Sequence, residues 1–271
     1  MPELKAHGIN AASITYDSAE ALRRFTDAYN IGYAMLSDVG SEVIRAFGVF
    51  NNNIPPDHKM MYGMAFPGDF LIAPDGTVRD KIFLRNYEHR PSASVLLQRR
   101  HGVEAERSVQ ISSGPVEALI ALSTDRCFPG QELALALELR MKPGWHVYGK
   151  PLPSNYQALE LKLRSPLIAE QVMEFPVPEL KRLAALNETL PVYGGEMRAA
   201  GKVGIRWSPP MKGAKFMEPL GDWIAPGTYQ LSGELRFKAC SDELCEPSQT
   251  IAFELPITLE AYVPPAPKQT A

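Results

Sequence analysis

Hydrophobic and polar positions follow two different rhythms along the chain. Up to about residue 100, short apolar runs alternate with stretches whose apolar residues share one helical face. Residues 11–16 form the first predicted strand, and Asp17 and Ser18 can cap the helix that follows. Residues 33–36 predict a second strand, before a helix that begins at Ser37 and Asp38 and ends at Gly48. Strands that alternate with helices in this way predict a mixed sheet with helices on its faces.

The same part of the chain closes with a predicted hairpin and a helix. Residues 69–73 and 77–83 read as two strands joined by the turn Pro74-Asp75-Gly76. A last helix is expected from Pro91 to about Arg100. In the helix before the hairpin, the inward positions are expected to be Val39, Val43, Ile44 and Phe47.

From about Ser108 the pattern becomes one of short alternating runs between Pro and Gly turns, which predicts an all-β sandwich. The strands expected from this pattern include residues 133–139, 159–163, 199–207 and 229–237. The expected organisation is an α/β unit over 1–103, a linker over 104–114, the β-sandwich over 115–260 and a Pro-rich tail over 261–271.

Composition excludes several function classes. Across 271 residues the apolar fraction is 45% and the net charge is −3, which argues against a broad nucleic-acid surface. No apolar run approaches the roughly 20 residues that span a bilayer, so the chain is not expected to cross a membrane. No signal peptide is visible, and taken alone this predicts a cytoplasmic protein.

The chain has three cysteines, and two of them, Cys240 and Cys245, are separated by only four residues. The flanking alternation reads as strand, turn, strand, so both sulfurs are expected at one edge of a β structure. Spacing alone leaves a redox-active dithiol, a static disulfide and two inert thiols open. Zinc is disfavoured because no second CxxC or HxxxH lies nearby, and neither a metal nor a cofactor is expected. Cys127 is interpreted as a lone structural or exposed thiol.

Residues 3 to about 100 resemble the later part of a peroxiredoxin or thioredoxin-like domain of the alkyl hydroperoxide reductase (AhpC/TSA) type. The resemblance is carried, in order, by residues 8–9, 14–17, 36–49 and 62–78. It implies that Pro67 follows a cis peptide bond and faces the reactive cysteine of that family. An ordinary trans turn proline is the alternative.

The chain departs from this family in one large respect. The family's first strand, its CxxC turn and most of its first helix have no counterpart, and no cysteine occurs before Cys127. Either Met1 is an internal methionine of a longer protein, or the redox fold has become a scaffold. The first interpretation is favoured, because a sheet without its early strand exposes an apolar face and an unpaired edge. Peroxide reduction is therefore expected only of a longer form.

Residues from about 115 to 258 resemble the N-terminal domain of the DsbD family of thiol:disulfide interchange proteins. The matching stretches, in the family's order, are residues 141–148, 190–195 and 237–247. The resemblance implies an immunoglobulin-like sandwich and a redox-active Cys240–Cys245 pair. Cys245 is then expected to form the mixed disulfide with a partner, and Cys240 to resolve it.

The resemblance also suggests residues around the pair. Val192, Tyr193 and Gly194 correspond to a cap loop over the cysteines, with a plain turn as the alternative. His146 and Tyr148 share a strand face and are expected to line the dithiol site and handle protons, although His146 could be structural. Trp145, which points the other way, is expected in the core.

Charge and context complete the interpretation. Asp242, Glu243 and Glu246 disfavour a free thiolate, with Lys238 a weak counterweight. The predicted function is thiol–disulfide exchange between a thioredoxin-like protein or membrane thiol reductase domain and periplasmic targets, in the periplasm or cell envelope. The alternatives are the peroxide-reducing longer form and a non-catalytic scaffold with a structural disulfide.

Overall fold

A computed structural model describes residues 2–83, 90–91, 107–183, 187–209, 212 and 222–261. The described residues fall into two compact units, one over residues 2–91 and the other over residues 107–261. In the part of the chain that is described, no helix is long and apolar enough to cross a membrane.

The first unit alternates helices and strands, as its sequence pattern predicts. In chain order its described elements are α1 (Pro2–Ala6), β1 (Ala12–Thr15), α2 (Ala19–Tyr29), β2 (Ala34–Ser37), α3 (Glu42–Ala46), β3 (Gly68–Ile72), β4 (Val78–Phe83) and β5 (Arg90–Pro91). Strands β1 and β2 pair in parallel, and β3 and β4 form the antiparallel hairpin expected around Gly76. The side chain of Ser18 caps α2 by accepting a hydrogen bond from the backbone of Ala21.

The third helix begins later than the sequence predicts. Ser41 lies in the left-handed region with a φ of 55°, so the chain turns there and α3 starts at Glu42. Asp38 accepts hydrogen bonds from the backbone of Glu42 and Ile44 across that turn. Of the four residues expected to face inward only Ile44 is buried, and Val39, Val43 and Phe47 are exposed.

Two predicted segments lie almost wholly outside the described residues. The helix expected from Pro91 to Arg100 lies outside the described residues apart from Pro91, which belongs to β5. The Pro-rich tail over 261–271 lies outside them apart from Ala261.

The second unit is built of strands throughout its described part. They are β6 (Arg107–Ser113), β7 (Val116–Leu122), β8 (Arg126–Cys127), β9 (Gln131–Met141), β10 (His146–Tyr148), β11 (Glu160–Arg164), β12 (Ile168–Glu174), β13 (Glu179–Leu183), β14 (Glu188–Gly194), β15 (Glu196–Ile205), β16 (Gly227–Phe237), β17 (Ala239–Cys240) and β18 (Gln249–Leu259). The strands expected over 133–139, 159–163, 199–207 and 229–237 are confirmed as β9, β11, β15 and β16.

These strands form three sheets, and buried side chains from all three meet in one apolar core. The sheet orders are β12-β15-β9-β7-β6, β11-β16-β18-β8 and β13-β14-β10-β17. Alternate residues in the second halves of β16 and β18 are buried while their neighbours are more exposed, which is the period-two pattern that the sequence carries.

The predicted linker over 104–114 is wrong for its described part. Residues 107–113 form β6, which pairs with β7 along its whole length. Ile111 is buried and Val109 packs partly against the core, so their alternation with Ser108 and Gln110 is that of a half-buried strand.

Strands β16 and β18 form the long hairpin that carries the cysteine pair. They pair in register from Gly227 with Leu259 to Phe237 with Gln249. The eleven residues between them, 238–248, therefore extend from the end of this hairpin and hold β17 and both cysteines.

Candidate functional site

Cys240 and Cys245 are joined by a disulfide with an S–S distance of 2.07 Å. Cys240 ends β17, which is an edge strand of the sheet β13-β14-β10-β17. Cys245 lies opposite Cys240 as an antiparallel bridge partner. The sequence expectation that both sulfurs meet at the edge of a β structure is confirmed.

The backbone holds the two cysteines together independently of the sulfur–sulfur bond. Ser241 donates its N–H to the carbonyl of Leu244 at 2.7 Å, and Glu246 donates to the carbonyl of Ala239 at 2.9 Å. The hydroxyl of Ser241 also accepts a hydrogen bond from Leu244 N–H. For so short a loop, chain entropy assigns the disulfide only about 2 kcal/mol of stability. The bond can therefore open while the turn remains formed.

The two sulfur-bearing residues differ sharply in exposure. Cys240 is 1% exposed, whereas Cys245 is exposed to solvent. Leu244, directly before Cys245, is 57% exposed. An incoming thiolate can thus reach Cys245 from solvent but not Cys240.

Cys240 packs in a small apolar cluster that is separate from the main core. Its buried members are Tyr148, Leu183, Leu190, Val192 and Cys240, and Leu152 and Tyr156 pack against them. The hydroxyl of Tyr148 donates a hydrogen bond to Cys240 Sγ at 3.2 Å. Burial raises the pKa of Tyr148, and Tyr156 and Glu188 raise it further. Tyr148 therefore remains protonated and able to donate.

His146 lies beside the disulfide on β10. It is the register partner of Cys240 on one side and of Gly194 on the other. It is 2% exposed, and its ring meets that of Tyr148 edge-on at 5.8 Å between centroids. The structure thus brings both predicted lining residues, His146 and Tyr148, to the buried sulfur.

An ion pair links the cysteine turn to β13. Lys181 Nζ lies 2.8 Å from Asp242 Oδ1. The hydrogen bond and charge of Lys181 lower the pKa of Asp242. Lys181, which no local pattern links to the cysteines, thus balances the charge of one carboxylate in the cysteine turn.

The predicted cap loop is wrong, because its residues form part of a strand. Val192, Tyr193 and Gly194 belong to β14, which pairs with β10 on one side and β13 on the other. Val192 faces the Cys240 cluster, whereas Tyr193 faces the main core and donates its hydroxyl to the carbonyl of Pro176. Successive strand residues point to opposite faces, so the two cannot form one cover.

Two further residues have structural positions in the second unit. Trp145 packs partly buried against the main core, as its place on the opposite face from His146 predicts. Cys127 is a free, fully buried thiol, and burial followed by the charge of Glu260 raises its pKa to about 12. Such a thiol is inert near neutral pH.

Pro67 lies in the first unit, directly before β3. Among the described residues the cis peptide bond is Lys150–Pro151, so the bond before Pro67 is trans and the expected cis geometry is wrong. The backbone N–H of Phe66 donates to the carbonyl of Val49, and the chain continues from there into β3.

Comparison with known proteins finds a family match in the first unit. Residues 1–81 match the AhpC/TSA family. They form an AhpC/TSA domain. Two predicted peroxiredoxins of Mycobacterium tuberculosis, from strains CDC 1551 and H37Rv, are each 31% identical over 97 residues, which is 34% of this chain and 55% of the relative. The chain thus spans about half the length of these relatives.

Two solved structures are similar to larger parts of the chain, at low identity. The N-terminal periplasmic domain of ScsB from Proteus mirabilis is 14% identical with a TM-score of 0.40, over 60% of this chain and 54% of that one. The fimbrial subunit AggA from Escherichia coli is 10% identical with a TM-score of 0.23, over 56% of this chain and 99% of that one. Both scores are below 0.5, so neither likeness assigns a fold.

The AhpC/TSA domain contains no cysteine, and the thiols of this chain all follow it. In the described part of the chain, no group of three or more His, Cys, Asp or Glu side chains could hold a metal ion. The described chemistry of the second unit centres on the Cys240–Cys245 disulfide, of which Cys245 is exposed.

Proposed function

We propose that this chain is a thiol–disulfide exchange protein that passes two electrons through Cys240 and Cys245 to or from thioredoxin-like partners. The observation that carries the proposal is the contrast between an exposed Cys245 and a buried Cys240 within one disulfide. A static disulfide needs no such division, whereas exchange needs one sulfur to be attacked and the other to leave and return.

The geometry favours one order of events. A partner thiolate attacks Cys245 Sγ, the bond between Cys245 and Cys240 breaks, and Cys240 leaves as a thiolate. The hydroxyl of Tyr148 already donates to Cys240 Sγ and stabilises the charge that develops there. A second thiol of the partner then attacks the partner's own sulfur and releases Cys245, so that the partner is oxidised and the pair reduced by two electrons.

We also propose that the second unit is an immunoglobulin-like sandwich of the DsbD N-terminal type. The stretches that carry this resemblance lie on β10, on β14 and around β17, and these three strands are neighbours in one sheet. Stretches far apart in sequence thus converge on the disulfide. These strand contacts support the resemblance independently of the sequence match, because the matching stretches are adjacent only in the folded protein.

Partner and compartment follow from the same site. Asp242 and Glu243 are exposed beside Cys245, and Glu246 follows it, so the rim around the reactive sulfur is acidic. A thioredoxin-like protein or membrane thiol reductase domain with basic groups near its cysteine would meet this rim favourably. An oxidising compartment preserves such disulfides, so we place the protein in the periplasm or cell envelope.

The test is reduction of the oxidised protein by a reduced thioredoxin-like protein, followed by trapping. For trapping, the partner keeps only its attacking cysteine, activated as a mixed disulfide with 2-nitro-5-thiobenzoate. The thiol of Cys245 in Cys240→Ser is expected to displace the nitrothiobenzoate and form a stable mixed disulfide with the partner. The matched variant Cys245→Ser leaves only the buried sulfur and is expected to form almost none, while Cys127→Ala behaves like the unmodified protein. A pair with a potential below about −300 mV that exchanges only slowly would instead be a structural disulfide.

A further inference from the structure

His146 lies in direct register with the sulfur that leaves and returns. Paired residues on neighbouring antiparallel strands point to the same face, with their Cβ atoms about 4.5–5.5 Å apart. On its other side His146 faces Gly194, which has no side chain to fill the space. The imidazole therefore shares one buried face of the sheet with Cys240.

The ring of His146 has no partner for either nitrogen among the described residues. Both Nδ1 and Nε2 are buried, and neither makes a hydrogen bond with them. A neutral imidazole has one nitrogen that donates and one that accepts, and buried polar groups are nearly always satisfied. A purely structural histidine would engage a carbonyl or hydroxyl, so this ring is left available for proton transfer.

The charged and titratable groups around His146 come from three elements. Lys181 lies on β13, Asp242 in the cysteine turn, and Tyr148 on β10 itself. Burial and the charge of Lys181 lower the pKa of His146, and Asp242 opposes them. Because Lys181 and Asp242 are paired with each other at 2.8 Å, their effects largely oppose. His146 is therefore neutral near neutral pH and has a free lone pair.

We propose that His146 is the proton acceptor for the Cys240 thiol when the cysteine pair closes. This role rests on the exchange function proposed above. Cys245 is exposed and can lose its proton to water, but Cys240 is 1% exposed and needs an internal base. His146 and Cys240 are both buried and lie opposite each other on neighbouring strands, so the imidazole is placed to act as this base.

The closing step balances as follows. Cys245 is first joined to the partner's sulfur in a mixed disulfide. His146 takes the proton of the Cys240 thiol, and the Cys240 thiolate attacks Cys245 Sγ. The Cys240–Cys245 bond forms, the bond from Cys245 to the partner breaks, and the partner leaves as a thiolate. Over the whole reaction, which includes the earlier attack of Cys245 on the partner's disulfide, the pair is oxidised by two electrons and the partner is reduced by two. In the opposite direction the imidazolium returns its proton to the departing Cys240 thiolate.

The experiment follows closure directly in the full chain. The reduced protein is mixed with 5,5′-dithiobis(2-nitrobenzoate), which places a coloured thiol on Cys245; release of the second equivalent of that thiol reports closure by Cys240. The closure rate of the unmodified protein is expected to fall as pH drops through the lowered pKa of His146, below the ordinary value of 6.5. His146→Phe is expected to lose this inflection and to close about 100-fold more slowly, with a rate that rises with hydroxide.

His146→Gln is the second variant, since it keeps a polar side chain without the basic nitrogen and decides the matter if the Phe variant fails to fold. A structural histidine would change stability but leave the pH profile of closure in place. Variants that fold and keep both the rate and the inflection would overturn the role of His146 while the exchange function stands. An unmodified protein whose disulfide cannot be opened by a reduced thioredoxin-like protein would remove the exchange function, and this role with it.

Discussion

At the scale of single residues, burial makes two identical thiols chemically different. Cys245 is open to attack, whereas Cys240 is enclosed by Tyr148, Leu190 and Val192. The hydrogen bond from Tyr148 gives the buried sulfur a fixed donor just where negative charge develops during attack. We therefore expect Tyr148 to control the rate at which Cys240 departs as a thiolate when the disulfide opens.

Tyr148→Phe tests this claim. The ring and its packing are kept, but the hydroxyl that donates to Cys240 Sγ is removed. Because a hydrogen bond to a charged group contributes about 1.5–3 kcal/mol, reduction of the disulfide by a small dithiol should slow about tenfold or more. The measurement is the rate of disulfide opening at fixed pH and dithiol concentration.

Tyr156→Phe is the matched control. Tyr156 packs against the same cluster, but its hydroxyl donates to Glu188 and not to sulfur. The opening rate of this variant should stay within about twofold of the unmodified protein. Equal slowing of both variants would mean that cluster packing, and not the bond to sulfur, controls the rate.

At the scale of elements, the site is a set of paired strands and one short turn. Residues of β14 and β10 pack against Cys240, whereas Cys245 is exposed. The turn is fastened to β13 by the ion pair between Lys181 and Asp242. We therefore expect the disulfide and dithiol forms to share the same strand and turn structure and to differ in the sulfur–sulfur bond.

Asp242→Asn should weaken the attachment of the turn in a pH-dependent manner. Lys181 lowers the pKa of Asp242 below its ordinary value of 3.8, so the folded state favours the ionised carboxylate. The stabilisation is present above that value and is lost as pH falls through the lowered pKa. The thermal midpoint of the variant should be below that of the unmodified protein by no more than about 3 °C at neutral pH.

The difference between the two proteins should shrink as pH falls through the lowered pKa of Asp242, because the carboxylate then becomes protonated in the folded as well as the unfolded state. Glu243→Gln removes a neighbouring carboxylate in the same turn and serves as the control for loss of charge there. A thermal midpoint difference for Asp242→Asn that persists at acid pH would show that the ion pair is not its cause.

At the scale of the whole molecule, the chain joins an AhpC/TSA domain without cysteine to a β unit with a dithiol. The apolar core of the second unit is formed by its own strands, β6 to β18. Every contact of the disulfide described above also comes from this unit. Folding and disulfide chemistry are thus expected to be properties of the second unit alone.

A fragment of residues 94–261 tests this expectation. It should unfold cooperatively, because units with their own core generally fold alone. Its rate of disulfide opening by a small dithiol should lie within about twofold of the full chain. Circular dichroism during heating and the opening rate are the two measurements. Cooperative folding with a much slower opening rate would assign the first unit a part in the reaction.

Local patterns predicted most of the elements. Alternation located β9, β16 and β18, and the turn around Gly76 located the first hairpin. Prediction failed where pairing with a distant strand determines the local structure. Residues 107–113, predicted as a linker, form β6 because they pair with β7. Val192, predicted in a loop, lies in β14 because β10 and β13 pair with that strand. The cysteine pair was visible from spacing, but Lys181 was not, because only folding brings β13 to the cysteine turn.

The sequence by itself determined that this chain has a thiol-free α/β part, a strand-rich part and two close cysteines, because composition and periodicity are local properties. Only the tertiary structure decided which sulfur is buried, which hydroxyl contacts it and which imidazole lies in register with it. Burial and hydrogen bonding arise between strands that are distant in the chain. The asymmetry on which the proposed chemistry depends is therefore a property of the sheet and not of the motif.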